Sequence, residues 1–116
     1  MTSVSIIHNP RCSKSRQTLA LLEQQGCDIT IIEYLKTPLS AEEIADIQAK
    51  LALAPRAMMR VKEDEYKQQN LNDVNVTDEQ LIQAMVDTPK LIERPIVLAN
   101  NKAAIGRPPE NVLAIL

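Results

Sequence analysis

Between Ser3 and Leu35 the hydrophobic pattern changes period twice, and this constrains the fold more than any other feature of the chain. Ser3 to His8 alternates and then runs apolar through Val4, Ile6 and Ile7, which predicts a strand that Asn9-Pro10 ends. From Ser13 the segment SKSRQTLALLEQQG has a small polar start, apolar Leu19, Ala20 and Leu22, and a terminal Gly26, the pattern of a capped helix. DITIIEYL, residues 28–35, is rich in β-branched residues and predicts a second strand. Strand, helix, strand in this order is a βαβ unit, which favours parallel pairing.

Further along, Ser40 with Glu43 has the spacing of a capping box, and Ile44, Ile47 and Leu51 follow at helical intervals, so a helix should run toward Pro55. Arg56 to Arg60 extends a short helical segment, and VKEDEYKQQNLNDVN reads as polar and mostly exposed. Thr77 with Gln80 repeats the capping-box spacing ahead of Leu81, Ile82, Met85 and Val86, a helix that should end near Pro89. Pro95–Ala99, the turn Asn100-Asn101 and Ala103–Gly106 read as an antiparallel hairpin. Pro108-Pro109 opens a last helix carrying Val112, Leu113 and Leu116. The expected architecture is one α/β domain over residues 1–116: a mixed four-stranded sheet flanked by helices with a helical insertion, a thioredoxin-like order of elements.

Composition narrows the function classes. Thirteen Lys+Arg against 15 Asp+Glu leave a net charge of −2, so no nucleic-acid surface and no membrane attraction is expected. Trp and Phe are absent and Tyr34 and Tyr66 are the two aromatic residues, so base-stacking platforms are missing as well. The N-terminal residues hold no apolar run of signal-peptide length, and no run approaches the ~18 residues of a membrane span, which gives a cytoplasmic expectation.

In a reducing compartment two cysteines must be read one by one. Cys12 sits at the N-terminal edge of the first helix, where unpaired N–H groups and the positive dipole end favour the thiolate and also attract an oxyanion. Arg11, Lys14 and Arg16 add positive charge nearby. Cys27 lies beyond the helix, roughly 20 Å away on a rise of 1.5 Å per residue, too far for a disulfide, and reads as structural. Ser15 stands where a CxxC motif would carry its second Cys, so the resolving thiol must come from outside. Ser15 either donates a hydrogen bond to the Cys12 sulfur or caps the helix. His8, the single histidine, either assists the thiolate or packs at the strand end. One His and two separated Cys make no tetrahedral zinc set, so no metal is expected.

HNPRCSKSRQTL, MMR at 58–60, ERPIV at 93–97 and GRPPE at 106–110 together resemble the motifs of ArsC-type arsenate reductases, over nearly the whole chain. The resemblance implies a thioredoxin fold with a helical insertion and reduction of arsenate to arsenite, with arsenate or a similar oxyanion as the bound partner. It implies no bound cofactor, with glutathione as reducing co-substrate and glutaredoxin as partner. Carried over by position, Cys12 matches the nucleophile, His8 and Ser15 its supporting neighbours, and Arg60, Arg94 and Arg107 the oxyanion-binding arginines; a cis bond before Pro95 is implied too. Guanidinium groups suit the task because they present planar paired donors and never lose their charge. The same superfamily leaves two alternatives: a glutathione-dependent thiol reductase acting on another substrate, and an Spx-like RNA-polymerase-binding regulator, a group that commonly carries CxxC.

Overall fold

The structure is a computed structural model and describes residues 2–116. Its elements form two compact units, one from the residues up to Thr37 together with those from Arg94 on, the other from Pro38–Glu93. In the first unit β1 (Ser3–Ile7), β2 (Asp28–Ile32), β3 (Ile96–Ala99) and β4 (Lys102–Ile105) make one mixed sheet in the order β2-β1-β3-β4. β1 pairs parallel with β2, Ile6 opposite Ile31, and antiparallel with β3, Ile6 opposite Val97. The β3–β4 hairpin turns through Asn100 and Asn101, whose φ angles of 52° and 63° are those of a two-residue turn that matches strand twist.

α1 (Ser13–Gln24) connects the two parallel strands, as the change of period predicts. Its inward face is Ser15, Thr18 and Leu22, so the half nearest the cysteine loop is polar, and the apolar Leu19 and Ala20 are only partly buried and exposed respectively. That polarity is tolerated because Thr18 Oγ1 donates to the Lys14 carbonyl at 2.8 Å and Ser15 is hydrogen-bonded to His8. Val4, Ile6, Leu22, Val97, Ala99, Val112 and Ile115 form the core under the helix, with Cys27 packed against it, as its structural reading expects. Residues Pro109–Ile115 are 3-10 rather than α-helical. Val112 and Ile115 face inward at the three-residue repeat of that helix, while Leu113 is exposed.

In the second unit α2 (Ala41–Leu51) and α4 (Asp78–Asp87) both begin with complete capping boxes. Ser40 Oγ accepts from Glu43 N–H at 3.1 Å, and Thr77 Oγ1 from Gln80 N–H at 3.2 Å. Pro55–Met58 is a 3-10 turn that stops short of Arg60. The polar stretch is mostly exposed, as expected, and holds α3 (Asp64–Gln68), which buries Tyr66, followed by buried Leu71. The single aromatic ring and one leucine supply the burial that the polar average hides. Arg56 Nη2 donates to the carbonyls of Leu71, 2.9 Å, and Asp73, 2.6 Å, tying down the loop that follows. No helix of the described residues is long and apolar enough to cross a membrane.

Candidate active site

β1 ends at Ile7, and the chain then turns through His8–Arg11 before α1 starts, so Cys12 becomes the N-cap residue. The loop is closed locally: Cys12 N–H donates to the Asn9 carbonyl at 3.0 Å, Arg11 N–H to Asn9 Oδ1 at 3.0 Å, and Arg16 Nη1 to the Pro10 carbonyl at 3.0 Å. Cys12 makes no side-chain capping hydrogen bond within α1.

Partial burial pushes the Cys12 thiol up, but the backbone N–H groups of Ser15 and Lys14 and the guanidinium charges of Arg94 and Arg107 outweigh it. The net displacement is below the ordinary thiol value. Arg107 Nη2 lies 3.6 Å from Sγ, and Arg107 Nε donates to the Arg94 carbonyl at 2.8 Å, so one guanidinium links the cysteine to the segment before β3. The peptide bonds Arg94–Pro95 and Arg107–Pro108 are both cis; the first was implied by the resemblance, the second was not. Gly106 sits where a Cβ would fall 2.6 Å from Thr18 Oγ1 and 2.8 Å from Pro95 Cγ, so the chain just after β4, which leads into Arg107, approaches α1 more closely than any side chain permits.

Ser15 divides its polar groups between two neighbours. Its Oγ lies 2.6 Å from His8 Nδ1 and accepts from Asn9 N–H at 3.0 Å, while its backbone N–H points at the sulfur. His8 is buried, which holds its imidazole below the ordinary value; Glu33 opposes this and Arg16 adds to it. The lowered value favours the neutral imidazole, whose Nδ1 contacts Ser15 Oγ.

Five of the six residues singled out in the sequence, His8, Cys12, Ser15, Arg94 and Arg107, thus meet in the sheet unit. Arg60 belongs to the helical unit, where its Nη2 pairs with Glu63 Oε1 at 2.6 Å and Glu63 Oε2 also faces Lys90 Nζ at 3.6 Å. Arg16, read from the sequence as positive charge near Cys12, acts on His8. Glu33 and Gly106 went unassigned a place in the site and reach it only through the fold. Among the described residues no group of three His, Cys, Asp or Glu side chains is arranged to hold a metal ion.

A single thiol at the N-cap of the helix after β1, in a β2-β1-β3-β4 sheet protein, linked through Arg107 to the residue that precedes a cis-proline, defines a thioredoxin-like protein of the one-cysteine type. The ArsC family model matches residues 7–115, and the chain belongs to the ArsC family. It is 52% identical over 117 residues to an arsenate reductase of Neisseria meningitidis serogroup B, covering 100% of both chains. Over 114 residues, 97% of this chain and 96% of the relative, it is 55% identical to the uncharacterized protein YfgD of Escherichia coli (strain K12). Among solved structures, an arsenate reductase from Vibrio cholerae superposes with a TM-score of 0.97 at 55% identity, over 99% of this chain and 98% of that one.

Proposed function

We propose that the protein reduces arsenate to arsenite with Cys12 as nucleophile. The observation that carries the proposal is the thiol with depressed pKa whose sulfur lies 3.6 Å from Arg107 Nη2, with the Arg94 charge acting on the same atom. Positive charge beside a nucleophilic sulfur is what an oxyanion substrate needs, both to bind and to be attacked. Relatives named arsenate reductase at about half identity support the choice of oxyanion.

In the proposed path the Cys12 thiolate attacks arsenic and one arsenate oxygen, protonated from solvent, leaves as water. Arg94 and Arg107 hold the remaining oxygens, and Arg60 is assigned to the same anion by its motif. A glutathione thiolate then attacks the Cys12 sulfur. The S–As bond breaks with its electron pair left on arsenic, which departs as arsenite after proton uptake, and Cys12 is left in a mixed disulfide with glutathione. Glutaredoxin removes that glutathione by thiol–disulfide exchange. His8 and Ser15 are positioning residues in this scheme, fixing the loop whose amides face the sulfur. Free cysteines suit a reducing compartment, and the cytoplasm is the proposed location.

The test is arsenite release from arsenate with and without glutathione and glutaredoxin. Release that needs both thiol components is the expected result; no release under any thiol regime would overturn the proposal.

A further inference from the structure

Beside the cysteine loop, and separate from the Arg94 and Arg107 side, lies a cavity of about 210 Å³ that the scheme above does not use. Pro10 and Leu35 supply apolar wall, and His8, Arg11, Glu33 and Lys36 supply the polar part. Leu35 is 47% exposed although it is a leucine. The charges do not cancel: Lys36 Nζ faces Glu33 Oε1 at 3.5 Å, while the exposed Arg11 guanidinium remains beyond that pair, and neutral His8 adds nothing. The backbone N–H of Arg11 donates to Asn9 Oδ1.

Ser15 replaces a resolving cysteine and Cys27 is packed against the core, so the second thiol comes from another molecule. A cavity with one surplus positive charge, bounded by the two residues that precede Cys12, is matched to a small thiol that carries carboxylate. Arg11 is one Cα step of about 3.8 Å from Cys12. Cys12 itself is not part of the cavity wall, so the part of such a molecule that the cavity would hold is its carboxylate end and not its sulfur.

The geometry points to this cavity as the subsite for the small anionic thiol that resolves Cys12, with Arg11 and Lys36 binding its carboxylate and Leu35 and Pro10 its apolar part. The inference rests on the proposed reading of Cys12 as a thiol that exchanges with an external thiol, and it adds where that thiol docks. The reverse exchange is a convenient probe because it needs no arsenate. The Cys12 thiolate attacks one sulfur of oxidised glutathione, the S–S bond breaks, glutathione thiolate leaves, and Cys12 carries the other half as a mixed disulfide.

The rate of this reaction is measured by intact mass for the unaltered protein, for Arg11→Ala/Lys36→Ala, and for Leu35→Trp, which fills the cavity without changing charge. Uncharged hydroxyethyl disulfide serves as the comparison reagent. Both variants should react about tenfold more slowly with oxidised glutathione, the loss of one charge-assisted contact, and at the unaltered rate with hydroxyethyl disulfide. Wild-type rates with oxidised glutathione in both variants would overturn the subsite. Slowing in Arg11→Ala/Lys36→Ala but not in Leu35→Trp would overturn it too, because long-range charge alone would then explain the effect. An unaltered protein whose Cys12 exchanges with neither reagent would instead sink the parent reading, and the subsite with it.

Discussion

Ser15 Oγ lies 2.6 Å from His8 Nδ1, a contact between the end of β1 and the first turn of α1 that closes the cysteine loop from beneath. Both residues are buried, Ser15 completely. Ser15→Ala would leave the imidazole nitrogen and the Asn9 N–H without this partner. An unmet buried polar group costs about 1–3 kcal/mol. Denaturant unfolding should show a loss of that order, with Cys12 still alkylated in the folded protein. A variant as stable as the parent would mean that the contact contributes nothing net.

The thiolate argument is tested by alkylation of Cys12 against pH. Because the backbone amides and the two arginines hold the thiol below its ordinary range, the midpoint should fall below the ~8.5 of a free cysteine. Arg107→Ala should move it upward by removing one of those charges. An unperturbed midpoint in the parent protein would contradict the assignment of Cys12 as the nucleophile.

His8 makes stability depend on pH in a defined direction. Its folded-state pKa is lowered by burial, so below about 6.5 the unfolded chain takes up a proton that the folded chain resists. Stability should therefore fall as pH drops from 7 toward 5, and His8→Gln should flatten this part of the profile. Thermal unfolding of both proteins across that range decides it; parallel profiles would remove His8 as the cause.

Gly106→Ala should be costly although alanine is small. The new Cβ would stand 2.6 Å from Thr18 Oγ1 and 2.8 Å from Pro95 Cγ, and Thr18 is fully buried and cannot swing aside. Overpacking of this kind costs about 1–3 kcal/mol. The midpoint of chemical unfolding should fall accordingly, and Arg107, the next residue, should lose part of its influence on Cys12 alkylation.

For the proposed reaction, Arg94→Lys should retain the fold and lose most arsenate turnover, because lysine keeps the charge but not the planar fork. Cys12→Ser should lose turnover altogether while still binding sulfate or arsenate, since the arginines remain. Arsenite release, anion binding and circular dichroism on both variants give the answer. Near-parental turnover in folded Arg94→Lys would rule out a bidentate clamp.

What the sequence determined by itself was whatever depends on neighbours along the chain. Ser40 with Glu43 and Thr77 with Gln80 capped helices where their spacing predicted, and Asn100-Asn101 turned the hairpin. Gly26, at a φ of 71°, followed α1, and Cys12 fell at that helix's start. Each of these is decided within a few residues by hydrogen bonds or a backbone angle that only certain side chains allow. The cysteine loop and the motif arginines were likewise legible as candidates. Tertiary structure decided the rest. Pro109–Ile115 became 3-10 and not α because Val112 and Ile115 pack into the sheet core at a three-residue interval, a choice no local pattern distinguishes. Tyr66 and Leu71, both buried, lie in a polar-looking stretch that forms an ordered helix and loop. Ser15 was legible as a helix-start polar residue, but that its hydroxyl serves His8 while its amide serves Cys12 follows from where β1 ends relative to α1. Arg107 reaches the sulfur of Cys12 across 95 positions of sequence. That contact exists because β3 and β4 join β1 in one sheet and Gly106 lets the chain pass close to Thr18 and Pro95, a relation set by packing distances that no stretch of sequence contains.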